Sequence, residues 1–238
     1  MRKFVKILSY VMLFIFIFSS AITIEKIYTT WKTTNTNNQL QDLKIDTHNK
    51  WREEFLSINE DFVGWLTVPG TSVDGPVVKG KDNNEYLRKN FYKEKSISGT
   101  FFVDEMVNLD EKDGNIIIYG HMMKDDTMFG SLKKYKDIDF FKENNIVCWE
   151  DKNGEHYYKL FAAALVSGSK TNTNYMNIQQ WTKQLNEKET KEMLETLKDK
   201  SYLYQDDQFR GEGQYIFLVT CDYSQYAGKL VLVGKKLE

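Results

Sequence analysis

The chain has 238 residues, of which 41% are hydrophobic and 14% aromatic, enough to build a sizeable core in one large domain or two small ones. This composition excludes a wholly disordered chain, and a formal net charge of −2 does not suit a general polyanion binder, so no nucleic-acid partner is predicted. Two cysteines allow at most one disulfide, which excludes a disulfide-stapled scaffold.

The N-terminal segment predicts a membrane anchor. Ile7 to Ile24 is a run of 18 positions without a charged side chain, about the minimum length of a membrane-spanning helix. Three basic residues precede it: Arg2, Lys3 and Lys6. The positive-inside rule makes residues 1–6 a cytoplasmic tail, residues 7–24 a single-pass anchor in the cell membrane, and the rest extracellular. A cleaved signal peptide is the alternative, because Ser19 and Ala21 have the small-x-small spacing of a cleavage site.

The segment after the anchor changes character at Leu40. Residues 25–39 are largely polar and predict a linker. From there to residue 238 we expect one extracellular domain. It would begin with one or two amphipathic helices, because the next apolar residues are spaced by sums of three and four: Leu40, Leu43, Trp51, Phe55 and Ile58.

The remainder of the chain predicts a mainly β fold. Short apolar runs bounded by turn residues indicate strands at 62–68, 77–78, 99–103, 115–119, 146–149, 155–167, 214–220 and 229–233. Between them, residues 178–200 have helical spacing on a highly charged background, which predicts a surface helix interrupted near Asn186. Many short strands with two prolines favour a small closed barrel with helical insertions.

Two strand ends carry residues with nucleophilic and acid–base chemistry. Cys221 ends one apolar strand, and His121 follows another through Gly120, which we expect to permit a sharp turn. If these strands are parallel neighbours, a thiol and an imidazole meet at one rim. That pair is the minimum set for thiol catalysis, because a free thiol is only a few per cent thiolate at neutral pH.

Structural roles compete with this hypothesis. A cysteine in a strand is often a small buried hydrophobe, which fits Cys148 better than Cys221, and a disulfide between the two is a further alternative. His121 taken alone also fits a structural histidine. No residue cluster has zinc spacing, and neither Asp125-Asp126 nor Asp206-Asp207 has the EF-hand pattern, so neither metal nor cofactor is predicted.

Several motifs in register resemble the class B sortases, the cysteine transpeptidases of Gram-positive bacteria. The likeness covers roughly residues 50–238. It rests on Asp61-Phe62-Val63-Gly64-Trp65-Leu66, Gly80-Lys81-Asp82-Asn83, Tyr119-Gly120-His121, Met128-Phe129-Gly130-Ser131-Leu132 and Thr220-Cys221-Asp222-Tyr223.

The resemblance implies a closed β-barrel of about eight strands, with N-terminal helices and a long helix before the cysteine strand. It implies an enzyme that cleaves a short sorting motif after Thr in secreted proteins. An acyl-thioester with Cys221 would form and be resolved by a peptidoglycan amine, with His121 as acid/base. Substrate contacts would map onto Asn83, Leu87, Tyr119, Thr173, Ile178, Thr220 and Asp222.

One departure from the family concerns a cation. The family places an arginine beside a glycine on the final strand, whereas Gly228 is followed here by Lys229, a point charge without the planar fork of arginine. We expect Lys229 to take the role less efficiently, with Arg210 as the alternative. Two other functions stay open: a thiol hydrolase on the same barrel, and a wall-associated adaptor with weakened catalysis.

Overall fold

The N-terminal quarter of the molecule is helical. The computed structural model describes residues 2–47, 50–205, 211–222 and 227–237. Helix α1 spans Arg2–Thr47 and helix α2 spans Trp51–Ile58. Within the described residues, α1 is the one helix long and apolar enough to cross a membrane, and the mean hydropathy of its apolar window is 2.3.

Residues 25–39, predicted as a polar linker, belong to this same continuous helix. The segment contains neither proline nor glycine, so nothing in it breaks a helix. It is also held by the body of the protein. The hydroxyls of Thr33 and Ser98 hydrogen-bond at 2.8 Å, and just beyond, Leu40 is buried and Gln41 donates to the main-chain oxygen of Asp74.

The described strands form one sheet that closes on itself. They are β1 (Phe62–Thr67), β2 (Asp74–Val78), β3 (Phe101–Val103), β4 (Ile116–Tyr119), β5 (Ile146–Asp151), β6 (Gly154–Ser167), β7 (Ser201–Tyr204), β8 (Tyr215–Asp222) and β9 (Gly228–Lys236). Eight of them follow the order β5-β1-β2-β3-β4-β8-β9-β6, and the hairpin pairing of β5 with β6 completes the ring. This arrangement confirms the predicted eight-stranded barrel, to which β7 adds an outer strand on β6.

Helical segments connect the strands. Short 3₁₀ helices span Glu85–Leu87, Phe129–Lys136 and Ile178–Trp181, and helices α3 and α4 span Ile138–Glu143 and Glu187–Lys200. The predicted interruption near Asn186 is confirmed. Its side chain accepts from the Glu189 main-chain N–H at 2.9 Å, and the Glu189 carboxylate accepts from the Asn186 N–H at 3.1 Å. This capping box starts α4 there.

The core has two parts. The larger fills the barrel, and the smaller is an aromatic cluster that fixes α1 and α2 to β1. Phe55 lies at the centre of the smaller cluster. It is fully buried, and its ring centroid lies 5.3–5.9 Å from those of four aromatic residues, Trp51, Phe62, Trp65 and Phe91. The stability of the helical region therefore depends on this ring.

We expect Phe55→Ala to lower the free energy of unfolding by about 3–5 kcal/mol, because it removes a buried ring and leaves a cavity. Urea unfolding of the detergent-solubilised chain, followed by tryptophan fluorescence, measures this. Leu56→Ala is the matched control, since Leu56 is 47% exposed, and it should change stability by about 0.5 kcal/mol. Equal losses in the two variants would contradict the assignment of Phe55 to the centre of this cluster.

Candidate active site

The ends of β4 and β8 define the site. The two strands pair in parallel, with Tyr119 opposite Val219, and the Gly120 N–H donates to the Val219 carbonyl at 3.3 Å. This confirms the parallel neighbours on which the sequence hypothesis depended. His121 and Cys221 each follow the last paired residue by two positions, so they emerge at the same rim of the barrel.

Both residues line one cavity of about 320 Å³. Its other lining residues come from six segments of the chain: Asn83, Leu87, Phe102, Tyr119, Gly120, Gln179, Val219, Thr220 and Lys229. Both cysteines are free thiols, and Cys221 is exposed. The sulfur is therefore accessible to a ligand, as nucleophilic chemistry requires.

The orientation of the His121 ring is set by a carbonyl group. Its Nε2 lies 2.8 Å from the main-chain oxygen of Leu87. Since a carbonyl oxygen only accepts hydrogen bonds, this contact requires the proton on Nε2 and leaves Nδ1 as the nitrogen that can accept a proton. The histidine main chain is held as well, because its carbonyl oxygen accepts from the N–H groups of Met123 and Phe129.

Gly120 serves this geometry by its lack of a side chain. A Cβ at this position would lie 2.8 Å from the Phe129 ring and 2.9 Å from the Phe101 ring. The backbone torsion φ of Gly120 is not in the left-handed region. The glycine therefore permits close packing under the histidine, and the sharp turn expected from the sequence is not its reason.

The loop that follows His121 also contacts α1. The Asp125 carboxylate accepts from the hydroxyl of Thr30 on α1 at 2.5 Å and from the Thr127 hydroxyl at 2.7 Å. Burial raises the pKa of Asp125, but these hydrogen bonds outweigh it and hold the pKa below its ordinary value. This part of α1 thus stabilises the loop that follows His121.

Lys229 lies beside the cysteine. It is directly opposite Cys221 in the antiparallel pairing of β8 with β9, so the two side chains are on the same face of the sheet. Its side chain passes over Gly168, where a Cβ would approach the lysine Cε to 2.9 Å. Among the described carboxylates, none forms an ion pair with its ammonium group. The charge is thus available to the cavity.

Four of the seven predicted substrate contacts line the cavity, namely Asn83, Leu87, Tyr119 and Thr220. Two do not: Ile178 is buried in the barrel core, and Thr173 is exposed, with its carbonyl accepting from Lys200. Asp222 ends β8, and its side chain lies outside the described residues, as does all of Arg210. The binding roles of all seven residues stay predictions.

Sequence reasoning missed Gln179, which lines the cavity in place of its neighbour Ile178. The two lie in a 3₁₀ helix of four residues, Ile178–Trp181, where Ile178 and Trp181 turn inward. Helical spacing alone could not select Gln179, because one turn is too short to define a face. A polar residue between two buried ones was the available signal.

Cys148 is chemically different from Cys221. It is half-buried on β5, and burial raises the pKa of its thiol to about 11, with Glu150 and Glu155 adding to the shift. It therefore stays protonated at neutral pH and suits a structural role. No cluster of three potential metal ligands occurs among the residues that the structure describes.

Similarity to known proteins extends over most of the chain. The sortase domain model matches residues 66–237. The chain is 31% identical over 185 residues to sortase B of Staphylococcus aureus (strain NCTC 8325 / PS 47). That alignment covers 77% of this chain and 73% of the Staphylococcus protein. It is 32% identical over 205 residues to sortase B of Listeria monocytogenes serovar 1/2a (strain ATCC BAA-679 / EGD-e). That alignment covers 85% of this chain and 77% of the Listeria protein.

Solved structures give the same result. A mutant form of Clostridium perfringens sortase B superposes with a TM-score of 0.76 at 30% identity, covering 86% of this chain and 98% of that one. A Staphylococcus aureus sortase B–substrate complex has a TM-score of 0.75 at 27% identity, and the match covers 89% of this chain and 99% of that one. With the barrel, the shared rim and these similarities together, the chain belongs to the sortase family and is a cysteine transpeptidase of the sortase B type.

Proposed function

We propose that Cys221 is the nucleophile of this transpeptidase, His121 its acid/base and Lys229 the cation that stabilises the oxyanion. The observation that carries the proposal is the meeting of all three residues at one cavity. An exposed thiol, a ring with Nδ1 free to accept a proton and a cation on the adjacent strand are the groups that acyl transfer to sulfur needs.

The first half-reaction forms a thioester. The Cys221 thiolate attacks the carbonyl carbon of a substrate threonine, and the carbonyl oxygen becomes an oxyanion beside Lys229. When the tetrahedral intermediate collapses, the C–N bond breaks and the leaving amine takes a proton from the His121 imidazolium. The products are an acyl-enzyme and a peptide with a new amino terminus.

The second half-reaction reverses these roles. An incoming amine attacks the thioester carbonyl, passes its proton to His121, and the C–S bond breaks to return the thiolate. Because the amine replaces water, the acyl group ends in a new amide bond. We propose that the amine belongs to peptidoglycan and that the acyl donor is a secreted protein with a sorting motif, as the sortase family implies.

We further propose that the N-terminus lies inside the cell and the barrel outside. Support comes from the apolar exposed part of α1 and from Arg2, Lys3 and Lys6 before it. An extracellular barrel would reach secreted proteins and cell-wall amines, and the chain would be a single-pass protein of the cell membrane.

For catalysis, we expect Cys221→Ala to abolish cleavage and Lys229→Ala to lower kcat about 100- to 1,000-fold, the usual cost of one lost oxyanion partner. Lys229→Arg should raise kcat, since its planar fork can donate twice. The assay uses a library of fluorescence-quenched peptides containing threonine, with mass spectrometry of the Cys221 adduct. Lys235→Ala, at the other end of β9, is the control.

Full activity of Lys229→Ala would exclude its role in the oxyanion site. Adding a short peptide with a free amino terminus separates the alternatives. Transpeptidation gives a joined product, whereas a thiol hydrolase gives only the free acid. A wall-associated adaptor would give neither cleavage nor a Cys221 adduct, and would overturn the proposed catalytic roles.

For topology, we expect a membrane-impermeant maleimide to label Cys221 in intact cells of the Cys148→Ser variant, because Cys221 is exposed on the barrel. A Lys3→Cys variant that lacks the other two cysteines should react only after the membrane is permeabilised. The opposite pattern would contradict the orientation. Release of a shortened chain into the medium would instead indicate a cleaved signal peptide.

A further inference from the structure

A buried carboxylate stands behind one wall of the cavity. Asp104 follows β3, has no exposed surface, and its N–H donates to the Ile117 carbonyl at 2.9 Å. A buried carboxylate is costly unless hydrogen bonds satisfy it. The hydrogen-bond donors around Asp104 therefore indicate which side chains it holds in place.

Three side chains from three separate segments donate to the same oxygen of Asp104. Its Oδ2 accepts from Asn83 Nδ2 at 3.1 Å, from the Tyr119 hydroxyl at 2.9 Å and from Gln179 Nε2 at 2.8 Å. All three donors line the cavity that contains Cys221 and His121, whereas Asp104 itself does not. The carboxylate thus acts on the cavity only through these partners.

The remaining contacts fix the carboxylate itself. Oδ1 accepts from the Met106 N–H at 2.8 Å, and the main-chain oxygens of Asp104 and Glu105 accept from Lys79 Nζ at 3.4 and 2.8 Å. Tyr119 remains a donor, since burial, reinforced by the charge of Asp104, raises the pKa of its phenol. The hydrogen-bond directions are therefore determined.

These directions determine what the cavity offers a ligand. Asn83 Oδ1 accepts from the Glu105 N–H at 2.9 Å, so both ends of that amide are oriented. One N–H of the Gln179 amide donates to Asp104, so its second N–H and its Oε1 are left for another molecule. No described residue donates a hydrogen bond to that oxygen. An amide with one donor and one acceptor matches the repeating N–H and C=O groups of an extended peptide.

We propose that Asp104 is a positioning residue for substrate binding, which orients Asn83, Tyr119 and Gln179, and that Gln179 is the residue through which it contacts the peptide. The inference rests on the proposed function, because it assumes that the peptide occupies this cavity. It assigns to Asp104 an effect on peptide affinity and none on the chemistry at sulfur.

The principal test is Asp104→Asn, which keeps the side-chain size but replaces one acceptor oxygen with an N–H donor facing other donors. We expect KM for the best peptide of the quenched library to rise about tenfold and kcat to stay within about twofold. Glu105→Gln makes the same change of charge at the exposed neighbouring residue and should leave both constants unchanged.

A second variant tests the route through Gln179. Gln179→Met removes the donor at similar length and should also raise KM. Combined with Asp104→Asn, the increase should be smaller than the product of the two single effects, because the two residues form one unit. Gln180→Met, at the exposed next position of the same 3₁₀ helix, is the control. If Asp104→Asn does not fold, Gln179→Met alone decides the test.

A merely structural role would give a different pattern. The rate at which iodoacetamide alkylates Cys221, and its pH profile, should be the same in Asp104→Asn and the parent. A lower melting temperature with unchanged KM, a lower kcat with unchanged KM, or an altered alkylation profile would each overturn the inference.

The failure of the proposed function is separable from the failure of this inference. If the parent protein cleaves no library peptide, the proposed function fails. NMR of the full chain in detergent micelles then decides the role of Asp104 without substrate. Slow solvent exchange of the Gln179 side-chain N–H in the parent, lost in Asp104→Asn, supports it, and unchanged exchange overturns it.

Discussion

Parallel pairing of β4 with β8 is the constraint on which the site depends. Because the strands run in the same direction, the residues after Tyr119 and Val219 lie at one rim of the barrel, where His121 and Cys221 share a cavity. A shift of one residue in this register would turn the thiol to the other face of the sheet. The buried apolar side chains of both strands oppose that shift, since it would also expose the barrel core.

Most of the strands could be predicted because they bury a run of apolar residues, as in Ile116–Tyr119. Other elements could not be predicted, and two of them show why. The edge strand Ser201–Tyr204 is short and half-exposed, so it lacks that run, and helix α3 has six residues, too few for a helical period. The helical state of residues 25–39 depends on partners distant in sequence, such as Ser98, which no local pattern reveals.

In the site, too, some residues could be predicted from the sequence and others could not. Cys221 and His121 could be predicted because each lies at or just beyond the end of an apolar strand, and a residue there is placed by the sheet itself. The connection of Asp104 to Asn83, Tyr119 and Gln179 joins residues up to 75 positions apart in sequence. Its only local trace is an acidic residue at the end of a buried strand, a pattern equally typical of a turn.

The two charges near the rim have different proposed tasks, and the structure places them in different surroundings. Asp104 is buried and its Oδ2 already accepts three hydrogen bonds, so it orients neighbouring side chains. Lys229 faces the cavity without a described carboxylate beside it. A lysine has no fork to align, so its effect on an oxyanion depends on distance and on how far a bound peptide excludes water. We therefore propose that the two residues act separately, Asp104 on the affinity for the peptide and Lys229 on the oxyanion.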